Sequence, residues 1–359
     1  MKCLDNMERI TLATDTVMNM IKIYQFKGKE FYYRDYFEDD IESMSQQTIE
    51  KETIYLSKLF KIELSEQRKK LLLKRDAVAK NKDEVIFLNI KNAFVQIHKD
   101  VNGFEYNPNQ YLDMAKFLFK NVNDVNVCFD TYTKIVNRNS LIPEKKTVSM
   151  RDDFEQLLNK YSKMLKSEGY ELTLLITNFY VDFINTKPFK VENDKIGIIM
   201  LYILLFKEGF ELFRYTSFFE LVYEYQSLFE QNLLQAGFNW DKGFSQTSPL
   251  HQLILNILLR GYQNVEQLLR EYQIDSAQNK SDNIENTINK LGELFTKDDI
   301  RLKHPYVSES TINRTLKRMR DQGLIRPLGV GRSAKWLKLY NNTKVDYQQL
   351  RLFDEKNWD

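Results

Sequence analysis

Glycine and proline are scarce in this chain, 12 and 6 of 359 residues. That is about 5% together, against roughly 12% in average usage. The shortage removes the punctuation that β-sandwiches and Gly-rich nucleotide-binding turns need, and it argues for a mostly helical protein. Cysteine and histidine are scarcer still. Cys3, Cys128, His98, His251 and His304 are too few and too scattered for a zinc cluster or a disulfide framework, which points to a reducing, cytoplasmic compartment and to no metal site. The opening MKCLDNMERI has no apolar stretch behind a basic tip, so no secretory leader is expected. The longest apolar run, Ile196 to Phe206, has 11 residues. A membrane span needs about 20, so the run reads as a buried core helix. An overall charge excess is missing too: 52 Lys and Arg face 50 Asp and Glu. Any attraction to nucleic acid must therefore be local.

A hydrophobic content of 43% over this length can fill two cores. From Met44 to Lys74, Ile49, Ile54, Leu56, Leu59, Phe60 and Ile62 recur at helical spacing, with a second helix start at 65–67. Helices are expected again over Glu84–Lys99, Tyr111–Asn121, Asp152–Ser167 and Glu171–Phe183, then from Lys195. Loops are expected at 101–110, at 137–146 and over TKPFKVEND. Residues 1–84 form an N-terminal helical region and 85–272 the main domain, with its hydrophobic centre at 171–210. A linker is expected at 273–284, a small domain at 285–340 and a tail at 341–359.

The small domain is strongly basic. Between Arg301 and Lys338 ten Lys and Arg meet only Glu309 and Asp321, a local excess of +8 that leaves the rest of the chain at −6. SESTINRTLKRMRDQGLI predicts a helix opening near Ser308 or Ser310, with Ile312, Leu316 and Met319 on one face and a stop at Gly323. Asn313, Arg314, Lys317 and Arg318 share the polar face. A basic turn, GVGR, and a strand from Ala334 to Tyr340 follow. Ser308-x-Ser310-Thr311-x-x-Arg314-x-Leu316, then GLI and a basic turn, resembles the winged helix-turn-helix domains, whose second helix enters the major groove. The resemblance implies double-stranded DNA as partner. Arg320, Arg332 and Lys335 would meet phosphates; Ser310, Asn313, Arg314 and Lys317 would read bases, with Arg318 beside them. One such domain binds weakly unless paired, so a homodimer is expected.

In the centre, TKPFKVENDKIGI between two apolar helices resembles the Fic/Doc family loop, His-Pro-Phe-x-Asp/Glu-Gly-Asn-Gly-Arg/Lys. Lys187, Pro188, Phe189, Lys190, Val191, Glu192, Asn193, Asp194 and Lys195 stand at its places, and Ile198 stands where a second Arg is usual. The resemblance runs from about 85 to 270. It implies a mainly α fold, a Fic-like helical domain followed by the small winged helix-turn-helix domain. Active relatives move AMP from ATP onto a protein hydroxyl. The motif His accepts the proton, a step worth about 10² to 10⁴ in rate, whereas a lysine ammonium has no lone pair to do so. The acidic residue holds Mg²⁺; Val191 offers a hard cation no oxygen. The two glycines let backbone N–H groups cradle phosphates, and Glu192 and Asp194 put negative charge there instead. Only Pro188, Phe189, Asn193 and Lys195 match.

Many Fic proteins also carry an inhibitory helix of pattern Ser/Thr-x-x-x-Glu-Gly/Asn. The segment 52–73 resembles it, with Leu56, Phe60 and Lys61 at its motif places. The implied reading is a pseudoenzyme without ATP or Mg²⁺, joined to a DNA-binding regulatory domain. Two others stay open: a divergent AMP transferase using ATP and Mg²⁺, and a scaffold that binds a protein partner. No membrane association is expected.

Overall fold

A computed structural model of the chain describes residues 2–74, 77–123, 125–136, 144–277, 280–305, 307, 309–329 and 334–339. It divides into a large unit, to Leu269, and a smaller one from Arg270.

The large unit begins with α1 (Lys2–Asp5), α2 (Thr14–Lys27), α3 (Glu30–Phe37), α4 (Ile41–Leu59), α5 (Glu66–Lys74), α6 (Lys82–Lys99) and α7 (Pro108–Leu118). Asn side chains start the last two: Asn81 accepts the Glu84 N–H, and Asn107 accepts that of Gln110 with Pro108 in the first turn. A hairpin follows, β1 (Thr131–Val136) antiparallel to β2 (Glu144–Ser149). The sequence predicts a loop at 137–146 and no strands; residues 144–146 instead lie in β2, while 137–143 are outside the described residues.

Then come α8 (Met150–Lys166), α9 (Leu172–Thr186), α10 (Asn193–Lys207), α11 (Phe218–Glu224), α12 (Gln226–Gly237) and α13 (Ser248–Ala277). α9 and α10 form the centre. Every residue from Thr173 to Ile184 is buried, and so is Ile196–Phe206 apart from half-buried Ile198. The 11-residue apolar run is thus a core helix, and among the described residues no helix is long and apolar enough to cross a membrane. α9 packs on α1, α8, α10 and α12, while α4 packs on α6 and α11. Gly197 sets the closeness of α9 and α10, since a Cβ there would meet Ile184 Cδ1 at 2.5 Å and the Phe183 ring at 3.1 Å. The whole N-terminal region to α5 is built into this body. Asp182 of α9 accepts the N–H groups of Cys3 and Leu4, and Glu52 of α4, fully buried, accepts those of Phe218 and Phe219 and the Ser217 hydroxyl.

The expected linker at 273–284 is largely helical, because α13 runs to Ala277 and α14 (Lys280–Lys290) follows. Residues 276–283 carry no large apolar side chain, yet the sequence has no Gly or Pro between Gly261 and Gly292. The small unit continues with β3 (Leu294–Phe295), α15 (Lys297–Lys303), α16 (Glu309–Asp321), β4 (Ile325–Pro327) and β5 (Trp336–Lys338). Its antiparallel sheet has the order β3-β5-β4. Ile288, Phe295, Ile300, Ile312, Leu316 and Ile325 lie in one buried cluster. Thr296 and Asp299 cap α15 reciprocally, and Gly323 ends α16 at a φ of 73°. The tail, 341–359, lies outside the described residues.

Candidate functional site

The loop between α9 and α10 is held by three sets of contacts. First, Lys187 ends α9 in the left-handed region, φ 50°, its N–H donating to the Phe183 carbonyl. Its side chain is exposed, as is that of Lys190. Second, the loop is stitched to the stem of the hairpin: Asp130 N–H donates to the Pro188 carbonyl and Lys190 N–H to that of Cys128, each at 2.9 Å. Phe189, 1% exposed, stacks on Phe129 at 5.4 Å and packs edge-on against Phe154. Third, Asn193 reaches back to Phe189, accepting its N–H at 3.0 Å and donating to its carbonyl at 2.6 Å. Pro188, Phe189 and Asn193 are therefore packing and hydrogen-bonding residues of the loop itself.

The chemistry around this frame is unlike that of a phosphate cradle. Glu192, at the place of the first motif glycine, adopts a φ of 60°, so the left-handed turn is kept without glycine. Its carboxylate pairs with Lys195 at 3.0 Å. The Lys195 ammonium also lies 5.7 Å from the centre of the Phe60 ring. The one loop cation that matches the family pattern is thus engaged from both sides. Val191 is half-buried and carries no donor to a metal. Among the described residues no three His, Cys, Asp or Glu side chains converge as metal ligands. The residues present do not fit a Mg²⁺–nucleotide.

The end of α4 abuts this loop. Leu56 is buried, Phe60 reaches Lys195, and Lys61 takes a left-handed φ of 58°, as the Gly/Asn place of the inhibitory pattern invites. Sequence reasoning missed the hairpin and its stem, Cys128 to Asp130, which supply half of the loop's support. Their signal is faint: TYTKIV and EKKTVS alternate weakly and are rich in lysine.

In the small unit, α16 exposes Asn313, Arg314, Lys317 and Arg320, and Lys335 is exposed just before β5. Arg320 is paired with its neighbour Asp321 at 2.9 Å. Arg318 turns the other way and meets Glu285 of α14 at 2.6 Å, so it braces two helices of its own unit. Ser310 lies in the first turn of α16; Arg332 is outside the described residues.

No family model matches the chain, and neither does any curated protein. Solved structures do. A Fic family protein from Desulfovibrio desulfuricans G20 aligns at 12% identity and a TM-score of 0.53, covering 93% of this chain and 99% of that one. A Fic domain containing signaling protein from Bacteroides thetaiotaomicron VPI-5482 aligns at 12% identity and a TM-score of 0.51, over 70% of this chain and 98% of the other. Likeness at such identity is likeness of backbone: the chain has a mainly helical, Fic-like fold.

Proposed function

We propose that the chain is a catalytically degenerate Fic-like protein whose small unit is a winged helix that binds double-stranded DNA, acting as a cytoplasmic regulator and as a homodimer. The observation that carries the first half is the Glu192–Lys195 ion pair at 3.0 Å, inside the turn where an active loop would bare backbone N–H groups to phosphate. A carboxylate there repels a triphosphate, and the cation that would attract it is neutralised. With a lysine at the proton-acceptor place and a valine at the metal place, proton transfer and charge neutralisation are lost together.

Support for the second half is the element order of the small unit, helix–strand–helix–helix–strand–strand, with the basic helix α16 preceding the two final strands. Arg314 and Lys317 are exposed on α16. Each is suited to a phosphate or a guanine edge.

One preparation tests both halves. Purified protein incubated with labelled ATP and Mg²⁺ or Mn²⁺ should neither label itself nor a lysate. Labelling abolished by Lys187→Ala would overturn the pseudoenzyme reading. On a duplex-DNA column the protein should be retained at low salt and released steeply as salt rises. Flow-through at low salt would overturn the DNA reading.

A further inference from the structure

A cavity of about 460 Å³ opens between α6, α7, the turn at 100–104 and α10, and none of its walls comes from the 187–195 loop. Its size falls within the roughly 300–1,000 Å³ of small-molecule sites. The walls are largely apolar: Ile97, Phe104, Met114 and Phe117, with Ile203 buried at the base. Among the described residues the ionisable side chains of the lining are two carboxylates, Asp100 and Asp113, with no basic side chain beside them.

Local structure keeps that negative charge in place. Asp100 Oδ1 accepts the Gly103 N–H at 2.9 Å, and a Cβ on Gly103 would stand 2.3 Å from Asp100 Oδ2, so the glycine makes room for the carboxylate. Lys207, on the same helix as Ile203, commits its ammonium to the Asn102 carbonyl at 2.9 Å and lies over the Tyr106 ring. An apolar hollow rimmed by two acids and no base selects an apolar body bearing a positive charge.

We propose that this cavity binds a small hydrophobic amine, its ammonium at Asp100 and Asp113 and its body against Phe104, Met114 and Phe117. The site is independent of the loop reading above, and stands or falls without it.

Titration calorimetry of the full chain with three matched indoles tests it. Tryptamine should bind. Tryptophol, neutral and of nearly the same shape, should bind about two- to fivefold more weakly, the scale of an exposed ion pair. Indole-3-acetate should give no heat. Asp100→Asn together with Asp113→Asn preserves size and the acceptor for Gly103, and should bring tryptamine down to the level of tryptophol. Met114→Trp should abolish binding of tryptamine and tryptophol alike, with an unchanged circular dichroism spectrum showing that each variant folds. No heat from tryptamine at millimolar concentration, equal affinity for tryptamine and tryptophol, or full tryptamine affinity in the double variant would each overturn the proposal.

Discussion

The carboxamide of Asn193 grips the backbone of Phe189 in both directions, with bonds of 3.0 and 2.6 Å. Asn193→Ala removes both at once and leaves a part-buried N–H and carbonyl facing apolar rings. The expected loss is about 1–3 kcal/mol, read as a lower urea midpoint at unchanged slope. Asn193→Asp keeps the acceptor but not the donor and should fall between the two. Wild-type stability in the alanine variant would mean that the strand contacts alone hold the loop.

Glu192 pays a backbone penalty for its left-handed φ of 60°, and its ion pair with Lys195 is partly exposed. Relieving the strain is worth about 1 kcal/mol, and a solvent-screened pair no more than that. Glu192→Gly should therefore leave stability unchanged or raise it by up to about 1 kcal/mol, measured by chemical denaturation. A clear loss would show that the carboxylate is held more tightly than its exposure implies.

Three buried groups bend the pH profile, Glu52 and Glu30 in one direction and His98 in the other. Burial pushes the Glu52 carboxyl up to about 8, against the pull of its hydrogen bonds from Ser217, Phe218 and Phe219. Its folded pKa lies above the unfolded one, so its contribution is complete below about pH 4.5 and is lost as pH rises through 8. Burial likewise pushes Glu30 up to about 7, which isolates Glu52 only between pH 7 and 8. Urea midpoints of wild type should fall across that window, and those of Glu52→Gln should stay flat.

His98, set between the Ser45 and Tyr202 hydroxyls at 2.8 Å each, is pushed down to about 3 by burial and by the Arg214 charge. With the folded pKa below the unfolded value of about 6.5, its contribution is complete above 6.5 and disappears as pH falls toward 3. Between pH 6.5 and 4.5 the Glu52 and Glu30 contributions grow equally in both proteins as pH falls, so the wild-type urea midpoint should fall relative to that of His98→Gln. Parallel curves for the two proteins would remove His98 as the cause.

The basic residues of α16 should separate by function. Arg314→Ala and Lys317→Ala should each lower the salt slope of DNA binding by about one and leave the melting temperature alone. Arg318→Ala should do the reverse. It loses the half-exposed pair with Glu285, worth under about 1 kcal/mol after solvent screening, and its salt slope should match wild type. Equal effects of all three on the slope would place Arg318 at the DNA as well.

The sequence makes the two central helices legible because Leu172–Thr186 and Asn193–Lys207 are apolar on nearly every side, and Pro188, Phe189 and Asn193 mark the loop between them. α16 is equally plain, since Ile312, Leu316 and Met319 repeat at helical spacing and Gly323 closes it. The hairpin is not, because its strands are short and polar and its stem is tied down by residues about 60 positions away, through the Phe129–Phe189 stack and the backbone bonds at Cys128 and Asp130. Arg318 could not be told from Lys317 by sequence either. Neighbouring positions on a helix differ by about 100° in direction, and only the placement of Glu285 decides which one faces inward.

The stitching of the 187–195 loop to residues 128–130 has a bearing on how such a protein changes over time. The curve of the loop is fixed by backbone bonds to residues 128–130 and by the rings beneath it. A change of side chain at Lys187, Val191 or Asp194 leaves those fastenings untouched, so such a loop can alter its chemistry while its outline stays recognisable.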